Sequence, residues 1–208
     1  MVVTDAVRTR RGRIAISVDG EYRFSLPAGL WAESGLFVGE QTDEAALGAV
    51  LSRAQEEQAK QRAFSLLSAR EYTEKRLTEK LAEKVPREAA AAAAARMREL
   101  GLVNDGDYAA RLARDLYHLR GFSPKRIGYE LVKRGVGREA AEAALSQFED
   151  GDEAGRAAAF LRKKYPDLTE EKMRRRAVAA LRRMGYGCEA IRAALAQVRN
   201  GDAGDGWE

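Results

Sequence analysis

The sequence predicts a mainly α-helical protein: an elongated tandem array of three three-helix repeats, preceded by a small N-terminal β-hairpin module. Three observations carry this expectation. The composition is that of slender helices, with 33% charged and only 7% aromatic residues and four prolines in 208. A pattern recurs every fifty residues from about residue 59 onward. Before that point, two short runs alternate with period two around an Asp-Gly pair. Helices of this length are marginal alone in water, so each must complete its core on its neighbours.

The hairpin comes first. Arg13–Val18 and Glu21–Leu26 both alternate, and Asp19-Gly20 between them is the pair that a type I′ turn demands, because both central residues take positive φ. Pro27 closes the second strand, and Leu36-Phe37-Val38 reads as a short third strand. Thr42-Asp43-Glu44 is an N-cap followed by acid in the first turn, opening a helix towards residue 60.

The repeats are read from matched positions. Leu81, Leu131 and Leu181 stand fifty apart, each closing a helix. Val85-Pro86, Gly135-Val136 and Gly185-Tyr186 follow as helix stops, and alanine-rich helices come next at Glu88–Ala95, Arg138–Leu145 and Cys188–Leu195. In the middle repeat the three helices span about Asp107–Leu119, Pro124–Lys133 and Arg138–Phe148, with Ser123-Pro124 as N-cap and first helical residue. Thr73 takes the Ser123 place in the first repeat. In the third, Thr169 to Leu181 is four residues longer than Ser123 to Leu131, which adds about one turn. The expected organisation is a hairpin-plus-helix module over 1–58, repeats over 59–102, 103–150 and 151–198, and a disordered tail over 199–208.

Charge is unevenly distributed. The net charge is −3 over 1–58, +9 over 59–198 and −2 over 199–208. A basic excess on one helical segment points to an acidic partner, nucleic acid or an acidic protein surface. At 100° per residue, Ile127, Leu131 and Val132 fall on one side of the middle repeat's second helix, and Arg126, Tyr129 and Lys133 on the other, with Lys125 at the edge; Arg134, next in the sequence, is taken as a candidate with them. In the third repeat Met173, Ala177, Leu181 and Met184 make the apolar stripe, and Lys172, Arg175, Arg176, Arg182 and Arg183 the basic arc. Lys75 and Arg76 hold the same phase in the first repeat. These twelve residues are the candidate interface. Tyr129 is the one aromatic within a basic stripe, placed to stack on a base. A stripe of charge does not itself distinguish phosphates from carboxylates.

No catalytic, metal or cofactor constellation is visible. His118 is the single histidine and Cys188 the single cysteine, far apart in sequence, and one cysteine excludes an internal disulfide. Asn104-Asp105-Gly106-Asp107 lacks the late glutamate of a calcium loop and reads as a capping turn. The start of the chain has no apolar signal core, and no 18-residue apolar run occurs, so a cytoplasmic protein is the expectation.

The middle repeat also resembles a known family. Leu100-Gly101-Leu102-Val103-Asn104-Asp105 with Tyr108-Ala109 is similar to the signature "LG-aliphatic-(N/D)-D…(F/Y)-A" of the RecX family. Gly121-Phe122-Ser123-Pro124-Lys125-Arg126-Ile127, Glu130-Leu131 and Lys133-Arg134-Gly135-Val136 are similar to its "G…RI…EL…(K/R)G-(V/I)" pattern. The resemblance covers about residues 59–198, departing at Val85-Pro86 and in the lengthened third repeat. It implies a non-enzymatic monomer without cofactor that binds the RecA protein filament. Such a protein would lie in the filament groove on single-stranded DNA and damp ATP hydrolysis, strand exchange and co-protease activity, regulating DNA repair, homologous recombination and the SOS response. The main alternative is a stand-alone helical DNA-binding module; a nuclease or hydrolase has no residue cluster behind it.

Overall fold

The computed structural model describes residues 1–148 and 151–201. The chain divides into two compact units, 1–103 and 104–208, each taken by itself below.

In the first unit, β1 (Val3–Arg8), β2 (Arg13–Val18) and β3 (Glu21–Pro27) form an antiparallel sheet in the order β1-β2-β3. The β2–β3 turn is the expected one, with Asp19 at φ 52° and Gly20 at φ 84°, and Val18 pairs with Glu21. The third strand is β1 and not Leu36-Phe37-Val38. That segment lies between Gly35 and Gly39, both at positive φ, and leaves Phe37 and Val38 exposed. Leu36 packs against the core beneath the sheet, and the backbone bonds come from the residues after the segment: Val3 donates to the Glu40 carbonyl at 3.0 Å, and Val2 forms an isolated bridge with Gln41. The polar sequence Thr4-Asp5 hides β1, which is held by pairing with β2 and by a single fully buried anchor, Val3. A short helix, α1 (Ala28–Glu33), follows Pro27 directly.

Helix α2 (Glu44–Ala69) is capped by Asp43, whose side chain accepts from the Ala46 amide at 2.8 Å. It runs nine residues past the expected end near 60 and passes unbroken through the expected boundary at 58. No glycine or proline interrupts it after Gly48. Its buried residues serve two cores. Leu47 and Ala54 pack with Val3, Ile16, Val18 and Leu26 of the sheet. Ala59 and Ala63 pack with Leu77 and Leu81 of α3 (Glu74–Ala82) and with Ala90, Ala94 and Met97 of α4 (Arg87–Glu99). Thr73 caps α3 while itself buried, accepting from the Arg76 amide at 3.3 Å.

The second unit holds two three-helix bundles. The first is α5 (Asp105–His118), α6 (Pro124–Lys133) and α7 (Arg138–Ser146), built around Ala109, Ala113, Ile127, Leu131, Ala144 and Phe148. The next is α8 (Glu153–Lys164), α9 (Glu171–Arg183) and α10 (Cys188–Gly201), built around Ala157, Ala158, Leu161, Ala177, Leu181 and Ala194. Leu131 and Leu181 are both fully buried, as their shared phase requires. Both middle helices end in the same way: Val136 donates to Leu131 at 3.1 Å and Tyr186 to Leu181 at 3.1 Å, with Gly135 and Gly185 left-handed between. At 13 residues α9 is longer than α6 at 10. The extra length starts at Glu170, because Thr169 bonds to the Asp167 carboxylate and does not cap the helix. At the far end α10 continues to Gly201, so residues 199–201, expected in the tail, are helical; 202–208 lie outside the described residues.

The two bundles of this unit interlock at one turn. Ser123 donates its amide to the Met184 carbonyl at 3.0 Å, and the Tyr186 hydroxyl donates to the Gly121 carbonyl at 2.9 Å. Arg156 of α8 reaches back to the Tyr117 carbonyl at 2.9 Å, with its guanidinium 3.2 Å from the centre of the Tyr117 ring. Gly185 has φ 93°, and a Cβ there would stand 2.5 Å from both Arg126 Cβ and Ser123 Oγ. Burial pushes the Tyr186 phenol above its ordinary pKa.

Two outcomes follow. Gly185→Ala adds left-handed strain to a clash with backbone-anchored atoms and is expected to cost about 3 kcal/mol in urea unfolding. Tyr186 is neutral when folded, so the stability that its raised pKa contributes is present below the ordinary tyrosine value of about 10 and lost as pH rises through the folded value. Tyr186→Phe is therefore expected to lower stability at neutral pH by about 1–3 kcal/mol, through the orphaned Gly121 carbonyl, and to weaken the alkaline fall in a pH series of urea midpoints.

Candidate interaction face on the helical repeats

Helix α6 carries the densest part of the candidate face. Ser123 caps it, accepting from the Arg126 amide at 3.3 Å, and Pro124 occupies the first turn. Burial of Ile127 and Leu131 fixes the rotation of the helix and turns the rest of its circumference outward. Lys125, Tyr129 and Lys133 are exposed. Val132 is exposed as well, at 62%, and does not join Ile127 and Leu131 in the core. It stands seven residues after Lys125, about 20° away on the wheel, and thus belongs to the outward side.

The basic residues of α6 are ordered by one acid. Glu130, with a side chain only 13% exposed, accepts from Arg126 Nη2 at 2.8 Å and from Arg134 Nη1 at 3.3 Å. The Arg126 guanidinium lies 5.1 Å from the Tyr129 ring centre and 5.7 Å from that of Phe122. Its Nε is buried without a hydrogen-bond acceptor among the described residues, which the neighbouring aromatic faces compensate in part. The result is a guanidinium held in place beside an exposed aromatic ring, on a helix that also exposes Val132 and two lysines. Such a surface offers charge and apolar contact together.

Helix α9 presents the second stripe. Met173 is half-buried, and Ala177, Leu181 and Met184 are buried, so the apolar stripe is where its spacing puts it. Lys172, Arg175, Arg176, Arg182 and Arg183 are all exposed. Arg175 and Arg174 share Glu171, each at 2.9 Å, and these contacts hold that carboxylate below its ordinary pKa, the Arg175 hydrogen bond contributing most. Lys172, Arg176, Arg182 and Arg183 make no ion pair among the described residues. The Ser123–Met184 hydrogen bond brings the basic end of α9, Arg182 and Arg183, against the first turn of α6, where Lys125 and Arg126 lie. Lys75 and Arg76 belong to α3 of the first unit, where Arg76 pairs with Glu79 at 2.7 Å.

Several contributors escaped the sequence reading. Glu130 was readable, since an acid four residues from arginines on both sides is a helix ion-pair pattern. Phe122 and Arg156 act through tertiary contacts and left no periodic signal. Elsewhere, Asn104 caps α5 by accepting from the Gly106 and Asp107 amides, each at 3.1 Å, which makes that segment a capping turn. His118 is exposed beside Tyr117, and Cys188 is exposed at the start of α10. Among the described residues no group of three or more His, Cys, Asp or Glu side chains is gathered to hold a metal, and no helix is long and apolar enough to cross a membrane.

Comparison with known proteins places this arrangement. Residues 104–145, which span α5 to α7, match the family model described as "RecX, second three-helix domain". The chain is 35% identical over 154 residues to the regulatory protein RecX of Mycobacterium ulcerans, covering 70% of this chain and 89% of that one. It is 32% identical over 140 residues to the regulatory protein RecX of Levilactobacillus brevis, covering 67% of this chain but spanning only about half, 53%, of that relative. A crystal structure of a regulatory protein RecX superimposes with a TM-score of 0.61 at 25% identity, covering 91% of this chain and 96% of that one. The sequence motif, the three-helix bundle and the full-length likeness agree: this chain belongs to the RecX family of regulatory proteins.

Proposed function

We propose that this chain binds the RecA nucleoprotein filament in its groove and inhibits RecA recombinase, ATPase and co-protease activities, regulating DNA repair and recombination without a cofactor and without turnover of its own. The observation that carries this reading is the recurrence of one basic stripe in the same phase on α6 and α9, joined at the Ser123–Met184 contact. A surface that repeats at a fixed interval suits a target that repeats at a fixed interval, as a filament does. The exposed Tyr129 and Val132 supply the apolar contact that a protein partner rewards, and Arg176, Arg182 and Arg183 of α9, exposed and without an ion pair among the described residues, supply long-range attraction to carboxylates or phosphates. The proposed setting is the cytoplasm, with the chain acting as a monomer.

A second reading has one observation in its favour: Tyr129 and Arg126 together form a stacking platform within a basic stripe, which would also suit DNA bases. Titration of RecA ATPase on single-stranded DNA at fixed salt separates the two. A stoichiometric or sub-stoichiometric fall in ATPase, with no turnover by the protein alone, is the expected result. No effect at saturating protein would remove the filament reading, and tight, sequence-selective binding to DNA without RecA would put the DNA-binding module in its place.

The interface residues can be tested in pairs. Arg126→Glu with Lys133→Glu, or Arg176→Glu with Arg183→Glu, is expected to weaken inhibition by about tenfold or more, as loss of desolvated charge contacts at an interface does, with helical circular dichroism unchanged. Tyr129→Ala with Val132→Ala is expected to weaken inhibition by about tenfold while leaving its salt dependence intact, as loss of an apolar anchor does. Unaltered inhibition by all three double variants would refute this face as the interface.

A further inference from the structure

Within the second unit, a cleft of about 300 Å³ lies between the end of α5 and one side of α8, at the lower end of natural binding pockets. Tyr117 and His118 line it from α5, Arg156, Phe160 and Lys163 from α8, and Tyr186 from the turn after α9. The three α8 residues stand at i, i+4 and i+7, so one side of the helix faces the cleft, while Ala157, Ala158 and Leu161 turn into the core. The lining contains no acid and none of the twelve residues of the candidate interface.

Arg156 is a half-buried cation with no counter-ion among the described residues. Its Nη2 donates to the Tyr117 carbonyl at 2.9 Å and the Phe122 carbonyl at 3.4 Å, and its guanidinium lies 3.2 Å from the Tyr117 ring centre. Nη1 is buried with no acceptor among the described residues. Carbonyls and a ring take up hydrogen bonds but leave the charge unneutralised, and a desolvated charge without its opposite is costly. Glu153, one turn earlier on α8, makes no ion pair among the described residues. His118 and Lys163 are exposed, and neither makes a hydrogen bond or ion pair among the described residues. Lys164 adds to the same field, its Nζ 5.9 Å from the Phe160 ring centre. We propose that the cleft binds a small phosphate monoester, with its phosphoryl group against Lys163, His118 and Arg156 and its body against Phe160. A phosphoryl group brings a charge of about −1.5 to −2 and three acceptor oxygens at neutral pH, matching donors from three side chains. A carboxylate brings one charge and two oxygens in one plane. The site does not depend on RecA being the partner, because it shares no residue with the α6 and α9 stripes.

His118 is the one histidine of the chain, so its imidazole protons give a proton NMR signal that reports from within the cleft. The test titrates the full chain with phenyl phosphate at fixed pH and ionic strength. Saturable shifts of the His118 ring protons are expected, with a dissociation constant below about 1 mM, which is modest for a ligand of this size. Inorganic phosphate, lacking the ring, should bind about tenfold more weakly, and benzoate, lacking the second charge, about tenfold more weakly as well. Lys163→Gln should weaken phenyl phosphate binding about tenfold, as loss of a charged hydrogen bond does. Lys163 is exposed, so this variant reports where Arg156→Gln, which loosens the joint between the bundles, does not fold. Shifts that rise without saturation to about ten times that limit would overturn the proposal. So would benzoate binding as tightly as phenyl phosphate, or saturation unchanged in Lys163→Gln. Displacement of phenyl phosphate by a single-stranded oligonucleotide at lower phosphate concentration would also overturn it, assigning the cleft to a nucleic-acid strand.

Discussion

The turn Met184-Gly185-Tyr186 is the contact on which the second unit depends. It closes α9, and in the same three residues it accepts the Ser123 amide, donates to the Gly121 carbonyl and packs its glycine against Arg126. Two bundles with small alanine-lined cores are each poor in buried area, and helices of 9 to 14 residues gain little from intrinsic propensity. Hydrogen bonds that cap one helix with the end of another therefore do two jobs at once, satisfying orphan backbone groups and fixing the rotation of one bundle on its neighbour. Arg156 adds a third tie, laying its guanidinium on Tyr117 and binding the carbonyl beneath it. Tyr117 in turn stacks on Phe148 with ring centres 4.1 Å apart, so the joint is backed by the core of the first bundle.

That joint also decides how the charges are presented. On an isolated helix, exposed ion pairs contribute little, and arginines sample many rotamers. On α6 the half-sequestered Glu130 and the two rings restrict Arg126 to one place, which reduces the entropy lost when a partner binds. On α9 the opposite holds, since Arg176, Arg182 and Arg183 are exposed and make no ion pair among the described residues. One stripe is preorganised and the other is a diffuse field. Rigid contact and long-range attraction are thus supplied by neighbouring helices of one unit.

The first unit solves a different problem with the same economy. A three-stranded sheet has one face to cover, and α2 covers it with Leu47 and Ala54 before continuing into the helical core with Ala59 and Ala63. Because a single helix serves both cores, the sheet module and the helices that follow share one rigid element, where composition alone suggests a boundary.

Local chemistry was legible in the amino-acid sequence. Asp19-Gly20 required its turn, Ser123-Pro124 and Asp43 required helix starts, and the fifty-residue recurrence of Leu81, Leu131 and Leu181 required three equivalent buried positions. Each depends on residues close in the chain or on a strict period, and the family signature is written in the same positions. Tertiary structure alone decided the rest. Val3 recruits a polar segment into the sheet because β2 offers unpaired backbone groups, and Val132 faces outward because its neighbours Ile127 and Leu131 fill the core. Arg156 matters because α8 lays it across Tyr117. Pairing partners, the last few tens of degrees of helix rotation and ring–cation contacts arise between residues distant in sequence, where periodicity carries no information.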